Sequence, residues 1–438
     1  MKKVIFKIAR KLGLTKVYRF LERIKDRGIK KSILFFRYKL ITFGPILKFR
    51  QNGINKKLED IIKEAENKPI ILSLSFIDWS VPLYQRPQHI AIQLAKQGFL
   101  YFYNTRNYYD FMDGYEKIGD HMYLTNRFDE TYEKLKDKDI YIHLYSTNMY
   151  EEDDERIERA LKNGNKILYE YIDEISEKIS GKKIPKFVLD RHERLLKDEK
   201  NVIVIATATK LYNDVAKYRR KNFKLVTNGV VYEHFRDIEN VLPEEMREIV
   251  EEKKPIIGYY GALASWFDYK LVEEVANKRK DWNIVLIGWD YDGTLAKSGL
   301  RKLDNVHVIS SIPYEILPTY AQWFDVCTIP FKINEVTEST SPVKLFEYMA
   351  LGKPIVTTPM PECKKYKSVI IGGNNAKEFV KKIEEGINDK ENSKYLEILK
   401  KEALENTWEG KAEEISKITV PINRNETNSK NLIFNFNR

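Results

Sequence analysis

Short apolar runs alternate with helical segments along this 438-residue chain, and this alternation constrains the fold more than any other feature. Apolar strands separated by helices are typical of a parallel sheet covered on both faces. One series of strands is predicted before the charged segment 236–254 and a second series after it. The sequence therefore predicts an α/β fold with two doubly wound domains joined near residue 245. The predicted strands are 69–75, 100–103, 139–144, 166–171, 202–205 and 223–226, then 255–261, 283–288, 306–309, 326–329, 355–356 and 368–371.

The stretch 341–354, SPVKLFEYMALGKP, follows a predicted strand and the polar loop 335–341. Ser341 is a favourable helix N-cap, Pro342 suits the first helical position, and Gly352 would end the helix in the left-handed conformation. A strand, a polar loop and a free helix N-terminus can bind an anion in an α/β protein. Lys344 would add positive charge, and Glu347 would accept hydrogen bonds from the hydroxyl groups of a ribose. The stretch predicts a nucleotide-diphosphate site; the alternative is an ordinary buried strand–helix unit with a surface Glu.

Positive charge is concentrated at the N-terminus. Residues 1–50 contain 16 Lys or Arg residues against Glu22 and Asp26, a net charge of +14, whereas the whole chain carries +11 and the remainder therefore −3. Segments 2–27 and 32–49 combine basic with apolar or aromatic residues, a pattern typical of helices at an anionic membrane surface. Helices packed on the main domain are the alternative, and nucleic acid is the weaker competitor. Two cysteines, Cys327 and Cys363, provide no disulfide framework.

Further motifs stand in a fixed order over about residues 67–418. They are RPQHIA, TNGVVYEHF, GYYGALASWFDYKLV, DWNIVLIG, SSIPYEILPTYAQWFDVCTIPF, SPVKLFEYMALGKPIVTT and TWEGKAEEI. This set resembles the GT-B glycosyltransferases, most closely the retaining family 4 (group 1) type of bacterial surface-polysaccharide biosynthesis. The resemblance implies two Rossmann-like domains that flank a cleft. The resemblance implies the boundaries 67–245 for the acceptor domain, 246–405 for the donor domain and 406–420 for a helix returning to the N-terminal domain. Composition predicts a basic, membrane-associated helical extension over 1–66 and a disordered tail over 421–438.

The resemblance also implies a donor site. Glu347 matches the Glu that binds the ribose, but the upstream Glu of the family's pair, eight positions earlier, is Ser339 here. The usual Arg and Lys that neutralise the diphosphate fall near Ala262 and Phe267. Lys344 and the backbone amides of the segment 340–343 would replace them. The predicted donor-binding residues are Gly261, Asp268, Gly288, Thr340, Ser341, Pro342, Val343, Lys344 and Glu347. For Asp268 and Gly288, a purely structural role is an equal alternative.

On the acceptor side the prediction names Arg86, Gln88 and His143, the last at the end of a strand. His89 and Asp173 are predicted to contribute to catalysis together with Lys344, although a lone His is more often structural. No metal site and no cofactor are predicted, because a Lys and helix amides can stabilise a departing diphosphate.

The predicted function is transfer of a sugar from a nucleotide-diphosphate sugar to a glycan acceptor, lipid-linked in the version we favour, without a metal and with retention. The alternatives are a sugar-nucleotide 2-epimerase of the same shape and a catalytically silent scaffold in a polysaccharide assembly complex. The expected location is the cytoplasm, at the inner face of the plasma membrane, with an anionic membrane surface as a partner of residues 1–50 and no nucleic acid partner.

Overall fold

Two sheets built almost wholly of parallel strands organise the chain. The structure, a computed structural model, describes residues 58–64, 68–81, 84–177 and 183–419. An eight-stranded sheet has the order β3-β4-β2-β1-β5-β6-β7-β8, and a six-stranded sheet has the order β11-β10-β9-β12-β13-β14. The strands are β1 Ile70–Leu74, β2 Leu100–Asn104, β3 Tyr115–Gly119, β4 Met122–Thr125, β5 Ile140–Tyr145, β6 Lys166–Tyr171, β7 Val202–Ala206, β8 Phe223–Leu225, β9 Ile256–Tyr260, β10 Asn283–Ile287, β11 Val306–Ile309, β12 Val326–Ile329, β13 Ile355–Thr357 and β14 Val369–Ile371.

Helices separate most of these strands, as the alternation predicts. Their bounds are α1 Leu58–Glu64, α2 Arg86–Lys96, α3 Phe128–Leu135, α4 Glu152–Lys162, α5 Lys186–Lys197, α6 Thr209–Val215, α7 Tyr232–Arg236, α8 Glu244–Glu251, α9 Tyr269–Lys278, α10 Thr294–Lys297, α11 Leu317–Ala321, α12 Glu335–Glu338, α13 Val343–Leu351, α14 Ala376–Asp389, α15 Ser393–Glu405 and α16 Trp408–Thr419. Short 3-10 helices lie at Leu300–Lys302, Tyr314–Ile316 and Cys363–Lys365. The two-domain α/β architecture is confirmed.

The N-terminal sheet buries both faces because successive strand residues point to opposite sides. Ile70 and Leu72 of β1 pack into a core that includes residues of α1 and α3 to α6. Ile71, between them, packs into a second core beneath α2 and α16. Helix α16 follows the C-terminal domain in sequence but packs on the N-terminal sheet, where the described part of the chain ends.

The two crossings between the domains run side by side. Val230 donates its amide to the Asn406 carbonyl at 3.0 Å, and the Trp408 amide donates to the Val230 carbonyl, also at 3.0 Å. A Cβ on Gly229 would lie 2.7 Å from the Asn406 carbonyl oxygen, a contact too short for any side chain. Glycine at this position therefore permits the close approach of the crossing segments.

One predicted region of the N-terminal domain is wrong in detail. The chain between β2 and β5 contains the antiparallel hairpin β3–β4, which the apolar runs did not predict. Strand β3 alternates buried and exposed residues at the sheet edge, and His121 makes the turn with a φ of 57°. Short amphipathic edge strands lack the continuous apolar run typical of buried parallel strands.

The basic extension and the C-terminal tail lie outside the described residues, except for helix α1. Leu58 and Ile61 of this helix are buried in the core of the N-terminal domain. Within the described ranges, no helix is both long and apolar enough to cross a membrane.

Candidate donor site

Helix α13 begins one residue later than predicted. Pro342, in an extended conformation with φ −70° and ψ 123°, is the N-cap, and Val343 is the first helical residue. Ser341 is therefore not the cap, and Glu335–Glu338 of the predicted polar loop forms the short helix α12. Gly352 ends α13 with a φ of 67°, as predicted. The shift leaves the segment before α13 extended.

Three backbone amides at this helix N-terminus lack an acceptor. Those of Ser341, Val343 and Lys344 donate to no described residue, whereas Thr340 donates to the Thr337 carbonyl at 3.4 Å. Pro342 has no amide hydrogen and cannot contribute one. Unsatisfied amides and the helix dipole make this end of α13 electropositive. Of the residues 340–343 predicted to offer amides, Ser341 and Val343 therefore have amides without a described acceptor, and Lys344 adds a third.

Lys344 adds a cation that no described carboxylate neutralises through an ion pair. Its Nζ lies 5.4 Å from the centroid of the Tyr259 ring and 5.1 Å from that of Phe331. Burial lowers the pKa of Lys344 to about 8. An ammonium group held between aromatic rings without a carboxylate partner is suited to an anionic ligand.

Two glycines form the floor beside Lys344. A Cβ on Gly288, after β10, would lie 1.9 Å from the Gly261 carbonyl oxygen, after β9. A Cβ on Gly261 would lie 2.9 Å from Cε of Lys344. Both glycines have positive φ, 132° for Gly261 and 156° for Gly288. Glycine at 288 therefore lets the two strand ends approach each other, and glycine at 261 leaves room for the Lys344 side chain.

Glu347 lies in the same helix and is 5% exposed. Its Oε2 accepts a hydrogen bond of 2.8 Å from the hydroxyl of Tyr260, the last residue of β9. Burial raises the pKa of Glu347 to about 7. No described residue donates a hydrogen bond to Oε1, so this oxygen remains available as an acceptor. The strand end therefore holds the carboxylate while leaving half of it free.

Tyr260 and Tyr314 are site residues that the sequence analysis did not identify. The Tyr314 ring stacks on Tyr84 of the N-terminal domain with centroids 5.4 Å apart, and its buried hydroxyl has no hydrogen-bond partner among the described residues. Burial, followed by the charge of Glu347, raises the pKa of Tyr314. Both tyrosines were visible in the motifs GYYGAL and SSIPYEIL, but only the fold brings them to Glu347.

A hydrogen-bond chain connects the N-terminal sheet to the start of α13. Nδ2 of Asn228 donates to the Ser341 carbonyl at 2.6 Å, and Nη1 of Arg86 donates to Oδ1 of Asn228 at 3.2 Å. Arg86 also forms a buried ion pair with Glu170, whose Oε1 lies 2.7 Å from Nε2 of His143. The chain thus fixes the last residues before the helix from the other domain.

The placement of His143 corrects one prediction. His143 lies inside β5, fully buried, and not at a strand end. Its Nδ1 is 2.8 Å from the hydroxyl of Tyr101, so both ring nitrogens are occupied by Tyr101 and Glu170. In this conformation the ring cannot contact an acceptor, and Arg86 is engaged in the same buried network.

Two other predicted residues have visible structural contacts. Gln88 forms a capping box with Gln85 at the start of α2, and its Nε2 lies 3.4 Å from the Asp78 carbonyl. Asp268 caps α9 by accepting the Leu271 amide at 3.1 Å. Both side chains thus have hydrogen-bond partners within the described residues, whereas the Lys344 ammonium group has none there.

His89 contacts the C-terminal domain from the N-terminal side, and Asp173 lies just after β6 in the N-terminal domain. His89 stacks on Trp408 at 4.8 Å and lies edge-on to Tyr314 at 5.4 Å. Burial lowers the pKa of His89 to about 3, so its ring is neutral at pH 7. Asp173 follows β6; burial raises its pKa to about 7, and its carboxylate has no hydrogen-bond partner among the described residues.

Comparisons with known proteins bear on the family and the fold. Residues 254–389 match the family model described as glycosyl transferases group 1. A Bacillus subtilis (strain 168) protein assigned to teichuronic acid biosynthesis as a glycosyltransferase, TuaH, is 27% identical over 206 residues, 46% of this chain and 51% of that protein. The chain thus spans about half the length of this curated relative.

Solved structures share the fold. Sucrose-phosphate synthase of Thermosynechococcus elongatus matches with a TM-score of 0.61 and 14% identity over 80% of this chain and 98% of its own. Anabaena HepE in complex with UDP-glucose matches with a TM-score of 0.55 and 14% identity, again over 80% and 98%. The predicted resemblance to group 1 glycosyltransferases and the GT-B fold are confirmed.

The pKa values of Glu347 and Lys344 predict how nucleotide affinity depends on pH. Glu347 takes up a proton below about pH 7 and loses an acceptor for a ribose hydroxyl, whereas Lys344 loses its charge above about pH 8. We expect the affinity for UDP, measured by titration calorimetry, to be highest between about pH 7 and 8. Glu347→Gln should flatten the acidic limb and Lys344→Met the alkaline limb. A profile that neither variant alters would contradict these assignments.

Proposed function

We propose that this protein is a glycosyltransferase that moves a sugar from a nucleotide-diphosphate sugar to a hydroxyl group of a glycan acceptor. One observation carries the proposal: Lys344, which forms no ion pair among the described residues, shares the start of α13 with amides that have no described acceptor and with Glu347, whose Oε1 has no described donor. Anion-binding groups next to a hydroxyl acceptor suit a diphosphate joined to a ribose. The group 1 family match and the UDP-glucose complex of HepE support the same substrate class.

Lys344 and the amides of Ser341 and Val343 would act on the leaving group. As the bond between the anomeric carbon and the phosphate oxygen breaks, negative charge builds on the diphosphate. Fixed donors stabilise this charge more in the transition state than in the bound donor. We propose that these groups suffice without a metal ion.

We also propose that the anomeric configuration is retained. The acceptor oxygen would form the new bond on the face from which the diphosphate departs, and its proton would pass to an oxygen of the departing phosphate. This route needs no carboxylate nucleophile. Asp173 and His89 remain the residues we propose on the acceptor side, Asp173 because its carboxylate lacks a hydrogen-bond partner at the carboxyl end of β6.

A transfer assay tests the proposed function. Purified protein is incubated with isotope-labelled UDP-, GDP- and dTDP-sugars and a lipid-linked glycan acceptor, with and without EDTA. We expect a labelled product with the donor's anomeric configuration, unaffected by EDTA, and about 100-fold slower formation by Lys344→Met, since lost transition-state donors typically cost this much. Glu397→Ala, on the exposed face of α15, is the control.

The assay also separates the competing functions. Donor interconversion without an acceptor would favour the 2-epimerase, and nucleotide binding without turnover would favour the scaffold. If neither transfer nor hydrolysis is observed with any of the donors, the proposal is overturned.

We further propose that the acceptor is lipid-linked and that residues 1–50, outside the described residues, hold the protein at an anionic membrane surface. Sixteen basic residues in this segment support this. We expect the full chain to cosediment with vesicles that contain anionic lipid, and to be released by high salt, which screens surface charge. A chain without residues 1–50 should remain in the supernatant. Equal cosedimentation of both would refute the anchor.

A further inference from the structure

We propose that Glu174, a residue of the N-terminal domain, recognises the hydroxyl groups of the donor sugar and so sets which nucleotide sugar is accepted. The inference rests on the proposed function, because it assigns a role within the same donor site.

Glu174 reaches across the junction between the domains. Its Oε2 lies 3.2 Å from Oγ of Ser339, in the segment that leads into α13. The same oxygen accepts from Nζ of Lys210 at 2.9 Å, and this Nζ also donates to the Glu335 carbonyl at 3.2 Å. Lys210 therefore holds this carboxylate oxygen, and the Ser339 hydroxyl of the other domain lies within hydrogen-bond distance of it.

The second oxygen of Glu174 is left free. No described residue donates a hydrogen bond to Oε1, and the side chain is 28% exposed. A carboxylate fixed through one oxygen and open at the other is arranged to accept a hydrogen bond from a ligand. The arrangement repeats that of Glu347, whose Oε2 is held by Tyr260.

The location of Glu174 fits the sugar end of the donor. Ser339 is two residues before Ser341, the first free amide of the anion site, whereas Glu347 lies inside the helix that follows. In a nucleotide sugar the ribose and the sugar are attached to opposite ends of the diphosphate. With the ribose at Glu347 and the phosphates at the amides, the sugar would extend toward Ser339 and Glu174.

Ser339 occupies the position at which the C-terminal domain could otherwise carry a carboxylate, and a serine there is compatible with Glu174. Ser339 is 1% exposed, and its hydroxyl also lies 3.0 Å from the carbonyls of Glu335 and Val336. A Glu at 339 would bring a second negative charge against Glu174, and like charges at this distance repel strongly. A hydroxyl donor at 339 and a carboxylate at 174 are complementary.

An interdomain latch is the competing role, and Glu362 is a matched control. Glu362 also joins the domains, since its Oε1 accepts the Thr209 amide at 2.8 Å. Its Oε2 pairs with Lys365 at 2.6 Å, so both of its oxygens are occupied. Loss of an interdomain contact alone should therefore appear equally in Glu174→Gln and Glu362→Gln.

The experiment compares the affinities for a nucleoside diphosphate and for its sugar conjugate. Titration calorimetry is performed with UDP and UDP-glucose, GDP and GDP-mannose, and dTDP and dTDP-glucose on the full-length protein and its variants. For the pair that binds, Glu174→Gln should leave the diphosphate Kd within about twofold and weaken the sugar conjugate about tenfold or more, as expected for a lost charged hydrogen bond. Glu362→Gln should not separate the two ligands.

A charge-exchange variant provides the second arm. Ser339→Glu should weaken the affinity for the sugar conjugate when Glu174 is present. The double variant Ser339→Glu with Glu174→Gln should recover at least part of the preference for the sugar conjugate over the diphosphate. Equal losses for both ligands in Glu174→Gln and Glu362→Gln, or no change in Glu174→Gln, would overturn the inference alone. If the unaltered protein bound none of the diphosphates or conjugates, the proposed function would fail and this role with it.

Discussion

A half-buried ammonium group without a carboxylate partner is the constraint on which the site depends. Lys344 lies between the rings of Tyr259 and Phe331, and the loss of hydration on burial lowers its pKa by more than the charge of Glu347 raises it. Charges in such positions are normally paired. This cation and the amides of Ser341 and Val343, which have no acceptor among the described residues, are the basis on which we propose anion binding at this end of α13.

Parallel strands explain why these groups meet. The carboxyl ends of β9 and β10 lie at one edge of the sheet, and Gly261 and Gly288 follow them directly. The edge of an open parallel sheet is the usual location of ligand sites because loops and helix N-termini converge there. Tyr260, the last residue of β9, donates a hydrogen bond to Glu347 and so connects this end of the strand to α13. The N-terminal domain then completes the arrangement through Asn228 and Glu174.

The sequence was most informative where local patterns determine structure. Buried parallel strands are continuous apolar runs, and the left-handed cap at Gly352 follows from glycine's freedom at positive φ. The hairpin β3–β4 lacks such a run and was missed. Pro342 is the cap in place of the predicted Ser341, since its own ψ of 123° is extended and the helix begins at Val343.

Long-range contacts were the part that the sequence could not provide. Glu174 and Ser339 are 165 positions apart, and the hydrogen bond between them exists only once both domains have folded. His143 carried the signal of a polar residue in an apolar strand, but its partners, Tyr101 and Glu170, lie on other strands. The same signal fits a catalytic residue and a satisfied buried one, and only the register of the sheet distinguishes them.

Hydrogen exchange followed by mass spectrometry, with and without a nucleoside diphosphate, tests the central claim most directly. The claim is that the free amides at the start of α13 bind the diphosphate. With UDP, GDP or dTDP, whichever binds, exchange should slow in the peptide that contains Ser341, Val343 and Lys344. Binding of a diphosphate with unchanged exchange in this peptide, and protection elsewhere in the chain, would contradict the account.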